Sequence, residues 1–133
     1  GRDSAVARYE QLAREFPDLW ELSTLSVQFD PRRAVAVGGP APDFRLVSLA
    51  DSAIAYTRAT LAAKKVTLID FWAVWCAPCV AEMPNIDKAW AGWKDRGLGV
   101  LSVSLDEQRS AVEKFRREKH AMPWLHAWAP QVW

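Results

Sequence analysis

The sequence has few cysteines, few histidines and almost no net charge. Its 133 residues include two cysteines and two histidines, and the formal net charge is +1. A chain so close to neutral gives no electrostatic reason to expect nucleic acid or an anionic membrane as a partner. No apolar run reaches the roughly 20 residues of a membrane-spanning helix, and Gly1–Glu10 lacks the basic and then apolar pattern of a signal peptide. Half of the residues are apolar and a quarter are charged, which is typical of a globular domain.

The first 36 residues are predicted to be a helical extension, separate from a domain over 37–133. Apolar side chains at helical spacing predict a helix over 4–16. Residues 19–36 are ambiguous and favour a second short helix followed by a loop at Asp30–Arg33. The alternative for the whole extension is a spacer.

Strands and helices alternate in the second region. Two short strands joined by a turn at Asp51 and Ser52 predict a β-hairpin. The next strand is almost wholly apolar, which favours a central position covered on both faces. The predicted elements are strands over 44–49 and 54–56, a turn or short helix over 57–65, a strand over 66–72, a helix over 77–96 kinked at Pro84, a strand over 100–105, a helix over 110–120 and a strand over 123–128. A strand–helix–strand unit predicts parallel strands with a right-handed crossover, and so an α/β fold.

Both cysteines lie together, as Cys76 and Cys79 in the segment Cys-Ala-Pro-Cys. Such a pair is compatible with a redox dithiol, half of a metal site or two inert thiols. At a predicted helix N-terminus, unpaired backbone N–H groups and the helix dipole favour the thiolate form of the first cysteine. Pro78 is compatible with the first turn of that helix. We therefore predict Cys76 as the attacking thiolate and Cys79, one turn further on, as the resolving thiol.

Two acidic residues near the cysteines are candidates for proton transfer. Asp70 is the one acid in the apolar run before Cys76, and burial raises the pKa of such a carboxyl, so that it can exchange protons with a nearby thiol. Glu82 follows Cys79 by three residues, on the same side of the predicted helix. The alternatives are a solvated helix residue for Glu82 and a buried acid without a function for Asp70, which would be costly to the fold.

A zinc site is the alternative that uses both histidines. Cys76 and Cys79 together with His120 and His126 formally supply four ligands. About 40 residues separate the two pairs, whereas a zinc-finger loop has about 12–15. We therefore predict no metal site.

The residues around the cysteines resemble a known family. Asp70–Cys79, with the sequence DFWAVWCAPC, resembles the active-site segment of thioredoxins almost residue for residue, and Pro84 matches the proline that kinks the helix of that fold. Gly39–Leu46 resembles the entry segment of redoxins, and Cys79–Pro84 resembles TlpA/ResA-type thiol-disulfide oxidoreductases. The resemblance covers about residues 38–128.

This resemblance implies a thioredoxin-like α/β fold and a thiol-disulfide oxidoreductase that reduces protein disulfides. The implied redox centre is a Cys76–Cys79 disulfide, with no other cofactor. In ResA-type members, the glutamate that matches Glu82 helps to tune the cysteines. The residues implied to face the substrate, or to shape the site, are Trp75, Ala77 and Pro78.

The resemblance also implies a bacterial, extracytoplasmic setting. Typical substrates of the family are apocytochrome c and other secreted proteins, and electrons arrive from a membrane thiol carrier. No nucleic acid is expected as a partner.

Three related classes are alternatives. A peroxiredoxin needs a Pro-x-x-x-Thr/Ser-x-x-Cys frame, but Ile69 and Ala73 stand at its proline and hydroxyl positions. A copper chaperone of the Sco type needs Cys-x-x-x-Cys. A thioredoxin-fold interaction or redox-sensor module stays open, because the N-terminal extension and the missing C-terminal part of the fold leave room for it. The cysteines of such a module would oxidise and reduce without passing electrons to another protein.

The resemblance is incomplete at the C-terminus. The cis-proline motif of TlpA/ResA-type proteins, the closing β-hairpin and the last helix have no counterpart before Trp133. We therefore expect a thioredoxin-like domain that lacks the C-terminal part of its fold, with either reduced activity or a swapped dimer for this chain alone. Because an uncovered sheet edge favours association, a domain-swapped or edge-paired dimer is predicted.

Overall fold

The computed structural model describes residues 1–29 and 38–130, except for five side chains in the first two helices. The chain divides into two compact units, Gly1–Pro42 and Asp43–Trp133. The predicted domain boundary after residue 36 stays a prediction. Among the described residues, no helix has both the length and the apolar character needed to cross a membrane.

Two helices make up the first unit. Helix α1 spans Arg2–Glu15 and α2 spans Glu21–Phe29. The predicted first helix is therefore confirmed, and the ambiguous stretch after it contains a second helix. Among its described side chains, Tyr9 and Leu22 are buried and apolar. The loop predicted at Asp30–Arg33 lies outside the described residues.

The second unit contains a hairpin, a parallel sheet and three helices in its described part. Its elements are β1 (Arg45–Val47), β2 (Ala55–Thr57), α3 (Arg58–Leu61), β3 (Val66–Trp72), α4 (Ala77–Trp93), β4 (Leu98–Ser104), α5 (Arg109–Glu118) and β5 (Leu125–Trp128). A 3-10 helix over Lys94–Arg96 continues α4, and Gly97, with φ of 110°, ends it in the left-handed conformation that favours glycine. Pro84 lies inside α4 as predicted.

Strands β3, β4 and β5 form a parallel sheet in that order, and β1 pairs with β2 in the antiparallel direction. At the carboxyl end of β3, Trp72 pairs with Ser104. A single antiparallel bridge between Ser48 and Ala127 connects the residue after β1 to β5. The predicted parallel pairing of two strands joined by a helix is therefore confirmed for β3 and β4, and the right-handed sense of the crossover stays a prediction.

The prediction that β3 is a central, doubly covered strand is wrong for the described residues. In that part of the chain β3 pairs with β4 alone, and β4 lies in the middle of the sheet. The residues of β4 are almost all buried, whereas Val66 and Phe71 of β3 are 63% and 54% exposed. An apolar run indicates how much surface a strand must bury, but not which segment covers it. The outer edge of β3 is therefore open in the described part of the chain.

The apolar core of this unit consists of two separate clusters, and the β4 residues Leu101 and Val103 belong to the second. The first core cluster, under α4 and α5, comprises Leu49, Trp72, Met83, Val112 and Met122. The second, on the hairpin side, comprises Leu61, Leu101, Val103 and Ala127. Because successive strand residues point to opposite faces, Ser102 points away from Leu101 and Val103. It therefore faces the side of the sheet that carries α4 and α5.

His126 on β5 is buried and neutral. The residue is 5% exposed, and its Nε2 donates to the Met122 carbonyl over 2.9 Å. The other ring nitrogen, Nδ1, has no hydrogen-bond partner among the described residues, so a proton added there would be buried and unpaired. Burial lowers the pKa of His126 to about 4; the hydrogen bond to Met122 acts against this shift, and the charge of Arg116 adds to it.

Acid is therefore expected to destabilise the second unit through His126. The pKa of His126 is about 4 in the folded chain against 6.5 ordinarily, so between these values the unfolded chain binds a proton that the folded chain does not. Stability is lost as the pH falls through this window, by up to about 3 kcal/mol. Urea unfolding across the window should show the slope in the wild type and in the control His120→Gln, but not in His126→Gln. An equal slope in His126→Gln would mean that other groups cause the acid sensitivity.

Candidate active site

Cys76 and Cys79 form a disulfide at the start of α4, with their Cα atoms 5.3 Å apart. Cys76 is the N-cap residue of the helix, and Ala77 and Pro78 lie in its first turn. Both cysteines are partly buried, and Cys79 packs against the first core cluster. The pair thus lies at the N-terminus of the helix that follows β3, where the sequence predicted it.

The local sequence turns the chain from strand to helix at this point. Strand β3 ends at Trp72, which is buried. In the turn that follows, Cys76 N–H donates to Ala73 O over 3.0 Å, and Val80 N–H donates to Cys76 O over 3.0 Å. The N–H groups of the first helical turn have no acceptor within the helix. Together with the helix dipole they favour a negative charge on the sulfur of Cys76.

Three exposed residues surround the disulfide in the chain. Trp75 is 67% exposed, and Ala77 and Pro78 are exposed as well. A protein that reaches Cys76 must contact this surface, because Trp75 and Ala77 are its chain neighbours. The placement is compatible with the predicted substrate-facing role, which stays a prediction.

Asp70 on β3 is partly buried and lies opposite Ser102 of β4 in the sheet register. Ser102 Oγ donates to Asp70 Oδ2 over 3.3 Å. Burial raises the pKa of Asp70, the hydrogen bond from Ser102 lowers it, and the negative charge of Glu82 raises it. Glu82 itself is exposed on α4 and accepts from Asn85 Nδ2 over 3.1 Å. The two acids predicted to move protons therefore lie near enough for one to influence the other.

Asp106 is a further residue of the site, and it was not predicted from the sequence. It is 4% exposed. Its carboxylate accepts from Val74 N–H, with both oxygens at 3.1 Å, and from Ser104 Oγ at 2.9 Å. Trp128 Nε1 donates to its backbone oxygen over 2.7 Å. Asp106 therefore holds the turn that leads into Cys76. A signal for it exists, because it follows β4 by two residues and functional groups collect at the carboxyl ends of parallel strands.

The two histidines have partners elsewhere. His120 Nε2 lies 2.6 Å from Asp87 Oδ2, and His126 binds the Met122 carbonyl. Within residues 1–29 and 38–130, no group of three or more His, Cys, Asp or Glu side chains is arranged to hold a metal ion. The geometry gives no support to the four-ligand zinc alternative.

The match to a known family extends well beyond the cysteines. The sequence model of the AhpC/TSA family matches residues 37–127. The chain belongs to the AhpC/TSA family. The matched segment of this AhpC/TSA chain runs from before β1 into β5 and includes both cysteines.

Curated relatives of this AhpC/TSA chain are named ResA. The thiol-disulfide oxidoreductase ResA of Oceanobacillus iheyensis is 36% identical over 88 residues, which cover 65% of this chain and 45% of the relative. The ResA of Geobacillus kaustophilus is 37% identical over 87 residues, which cover 65% of this chain and 48% of that relative. The chain thus spans about half the length of the curated relatives it matches.

Solved structures with a similar fold come from bacteria as well. The thioredoxin domain of a thiol-disulfide oxidoreductase from Bacteroides vulgatus matches with a TM-score of 0.62 and 26% identity. The match covers 71% of this chain and 64% of the chain in that structure. A thioredoxin-family thiol:disulfide interchange protein from Chlorobium tepidum matches with a TM-score of 0.58 and 26% identity. This match covers 70% of this chain and 62% of the chain in that structure. These matches confirm the predicted thioredoxin-like α/β fold and the resemblance to ResA/TlpA-type redoxins.

Proposed function

We propose that this AhpC/TSA chain is a thiol-disulfide oxidoreductase that reduces disulfides in other proteins. The observation that carries the proposal is the Cys76–Cys79 disulfide at the N-terminus of α4. The similarity of this chain to proteins named thiol-disulfide oxidoreductase supports the same reaction class. The disulfide is the oxidised half of a dithiol couple, and its reduction by two electrons restores both thiols.

The reaction starts from the reduced pair. The Cys76 thiolate attacks one sulfur of the substrate disulfide; a bond forms between the two sulfurs, and the other substrate sulfur leaves as a thiolate and takes up a proton. The Cys79 thiol then loses its proton and attacks Cys76 Sγ, which releases the second substrate thiolate and closes the Cys76–Cys79 disulfide. Two electrons have passed to the substrate, and an external dithiol must return them.

Asp70 is proposed as the base that accepts the Cys79 proton. Burial raises the pKa of Asp70, which brings the carboxyl closer to the range in which it exchanges protons with a thiol. Glu82 is proposed to act on Asp70 through its charge. The exposure of Glu82 is also compatible with the alternative, a solvated residue without a role.

Proteins with thiols or disulfides are the general partner class of this type of protein. The finer assignments are proposals that rest on the family resemblance: an extracytoplasmic bacterial setting, apocytochrome c as a substrate and a membrane thiol carrier as the electron donor. The open edge of β3 in the described residues supports a domain-swapped or edge-paired dimer.

The reduction potential of the Cys76–Cys79 pair tests the proposal. The protein is equilibrated in thiol–disulfide buffers of defined potential, and free thiols are counted by the mass that alkylation adds. We expect a two-electron transition between about −230 and −330 mV, because the Pro78-containing motif resembles that of thioredoxin, which lies near −270 mV. A midpoint above about −180 mV would indicate an oxidant or an isomerase. Absence of a reversible transition would contradict the proposal.

A redox-sensor module would show a transition too. Turnover distinguishes it from the enzyme, since a sensor would not pass electrons to a second protein. The peroxidase alternative is not favoured, because Ala73 stands at the hydroxyl position of the peroxiredoxin frame and has no hydroxyl, and Ile69 stands at its proline position.

A further inference from the structure

A chain of hydrogen bonds leads from Asp70 through the sheet to a tryptophan before β5. Ser102 Oγ donates to Asp70 Oδ2 over 3.3 Å. Trp124 Nε1 donates to the same Ser102 Oγ over 2.8 Å. The three side chains come from β3, β4 and the segment before β5, so only the folded sheet brings them together.

This chain has a direction. An indole N–H can donate but cannot accept, and a serine hydroxyl has one proton to give. With Trp124 donating to the Ser102 oxygen, the Ser102 proton is directed to Asp70. If Asp70 carried a proton on Oδ2, that proton would face the Ser102 oxygen, and the Ser102 hydroxyl would lose its carboxylate acceptor. The arrangement is therefore fully satisfied when Asp70 is a carboxylate.

The surroundings hold the chain in place. Ser102 is completely buried and lies opposite Asp70 in the parallel register. The ring of Trp124 lies 5.9 Å from that of Trp90 on α4 and stacks on His126, with centroids 6.3 Å apart and planes inclined by 18°. An indole packed on two sides keeps its N–H directed at Ser102.

We propose that Ser102, oriented by Trp124, is a positioning residue that keeps Asp70 ionised and thereby sets how acidic the medium can become before Cys79 stops resolving the mixed disulfide. This inference rests on the proposed function, in which Asp70 takes the Cys79 proton. In the described part of the chain β3 packs against β4 and α4, and from these elements Ser102 acts on Asp70 through a hydrogen bond and Glu82 acts on it through its charge. Glu82 disfavours the carboxylate and Ser102 favours it, so Ser102 is the group that limits protonation.

Two measurements test the inference. The first is an NMR titration of the Asp70 side-chain carboxyl in the oxidised protein, in which neither cysteine titrates. The second is the rate at which Cys79 displaces thionitrobenzoate from Cys76, followed against pH after mixing the reduced protein with the parent aromatic disulfide. The first measurement reports on the hydrogen-bond chain, and the second reports on its use in the reaction.

Ser102→Ala removes the donor to Asp70, so the titration of Asp70 should move to higher pH. The acidic limb of the resolving rate should move with it. At mildly acidic pH we expect a loss of about threefold to tenfold, a small part of the roughly 10²–10⁴-fold that a positioned base contributes. Trp124→Phe keeps an aromatic ring but removes the N–H together with the fused five-membered ring, so it should act in the same direction but less.

The double variant and a matched control make the test specific. Adding Trp124→Phe to Ser102→Ala should cause no further shift of the Asp70 titration, because the indole acts on Asp70 through Ser102. Trp128→Phe removes an indole N–H of the same kind, which donates to Asp106 O, and should leave the Asp70 titration unchanged. If Ser102→Ala does not fold, Trp124→Phe carries the test alone.

The outcomes separate the inference from the function on which it rests. An upward shift of both the Asp70 titration and the rate profile supports the inference. An unchanged Asp70 titration in Ser102→Ala and Trp124→Phe overturns it. A shifted titration with an unchanged rate profile overturns the role of Asp70 as the base for Cys79, and with it the link to resolution, while Cys76–Cys79 exchange itself stands.

Discussion

Replacing Cys76 by serine is expected to abolish disulfide reduction, while replacing Cys79 by serine should trap substrates on the protein. A serine hydroxyl at the start of α4 is not ionised near neutral pH, so it cannot attack a disulfide sulfur as a thiolate does. The rate of disulfide reduction with Cys76→Ser should therefore fall to the rate that the reductant gives without the protein. In Cys79→Ser the attack by Cys76 proceeds, but the mixed disulfide has no internal thiol to release it.

The two variants carry the same substitution three residues apart, so each is the control for the other. Reduction of insulin disulfides with a dithiol reductant measures turnover, and non-reducing mass spectrometry detects the trapped adducts. Adducts in Cys79→Ser and none in Cys76→Ser would fix the order of attack. Persistent turnover in Cys76→Ser would mean that Cys79 is the nucleophile. A wild-type protein that oxidises reversibly without turnover would point to a redox sensor.

The centre of the site could be predicted because its determinants are local in sequence. An apolar strand, a turn and a helix that starts at the Cys-Ala-Pro-Cys segment follow one another within 28 residues, 66–93. The helix N-terminus at Cys76 and the proline in its first turn follow from residue types alone. The fold class followed from the same alternation of strands and helices.

The supporting residues could not be predicted because they come from distant parts of the chain. Asp106 lies 32 positions after Val74, Ser102 lies 32 after Asp70, and Trp124 lies 22 after Ser102. Their contacts depend on the register of β3 against β4, which residue spacing does not fix. The exposed edge of β3 has the same cause, since an apolar strand does not specify its neighbours.

Of these supporting residues, Asp106 should have the largest effect on stability. Asp106→Ala leaves Val74 N–H and the Ser104 hydroxyl without the carboxylate they donate to. A buried donor left without a partner costs about 1–3 kcal/mol, so we expect a loss of about 2–5 kcal/mol in the free energy of unfolding. That is a large fraction of the 5–15 kcal/mol that typically holds a domain of this kind together.

The loss should extend to the redox site, because the turn anchored by Asp106 presents Cys76. Cys76 N–H donates to Ala73 O within that turn, and Ala73 precedes the Val74 amide that Asp106 binds. Loosening the anchor exposes the Val74 amide, so its hydrogen exchange should accelerate beyond what global destabilisation explains. Disulfide reduction should fall as well, since the thiolate loses its fixed position at the helix N-terminus.

Graded and control variants separate this role from a general effect of removing an acid. Asp106→Asn keeps one oxygen that can accept from Val74 N–H but replaces the second oxygen by an NH2 group, which cannot accept. It should therefore lose less stability than Asp106→Ala. Asp95→Ala removes an exposed acid from the 3-10 helix and should change the free energy of unfolding by less than about 0.5 kcal/mol. Urea unfolding of the oxidised proteins measures all three. If Asp106→Ala behaves like Asp95→Ala, the turn before Cys76 is held by its own backbone and the packing of Trp72, and the carboxylate is not its anchor.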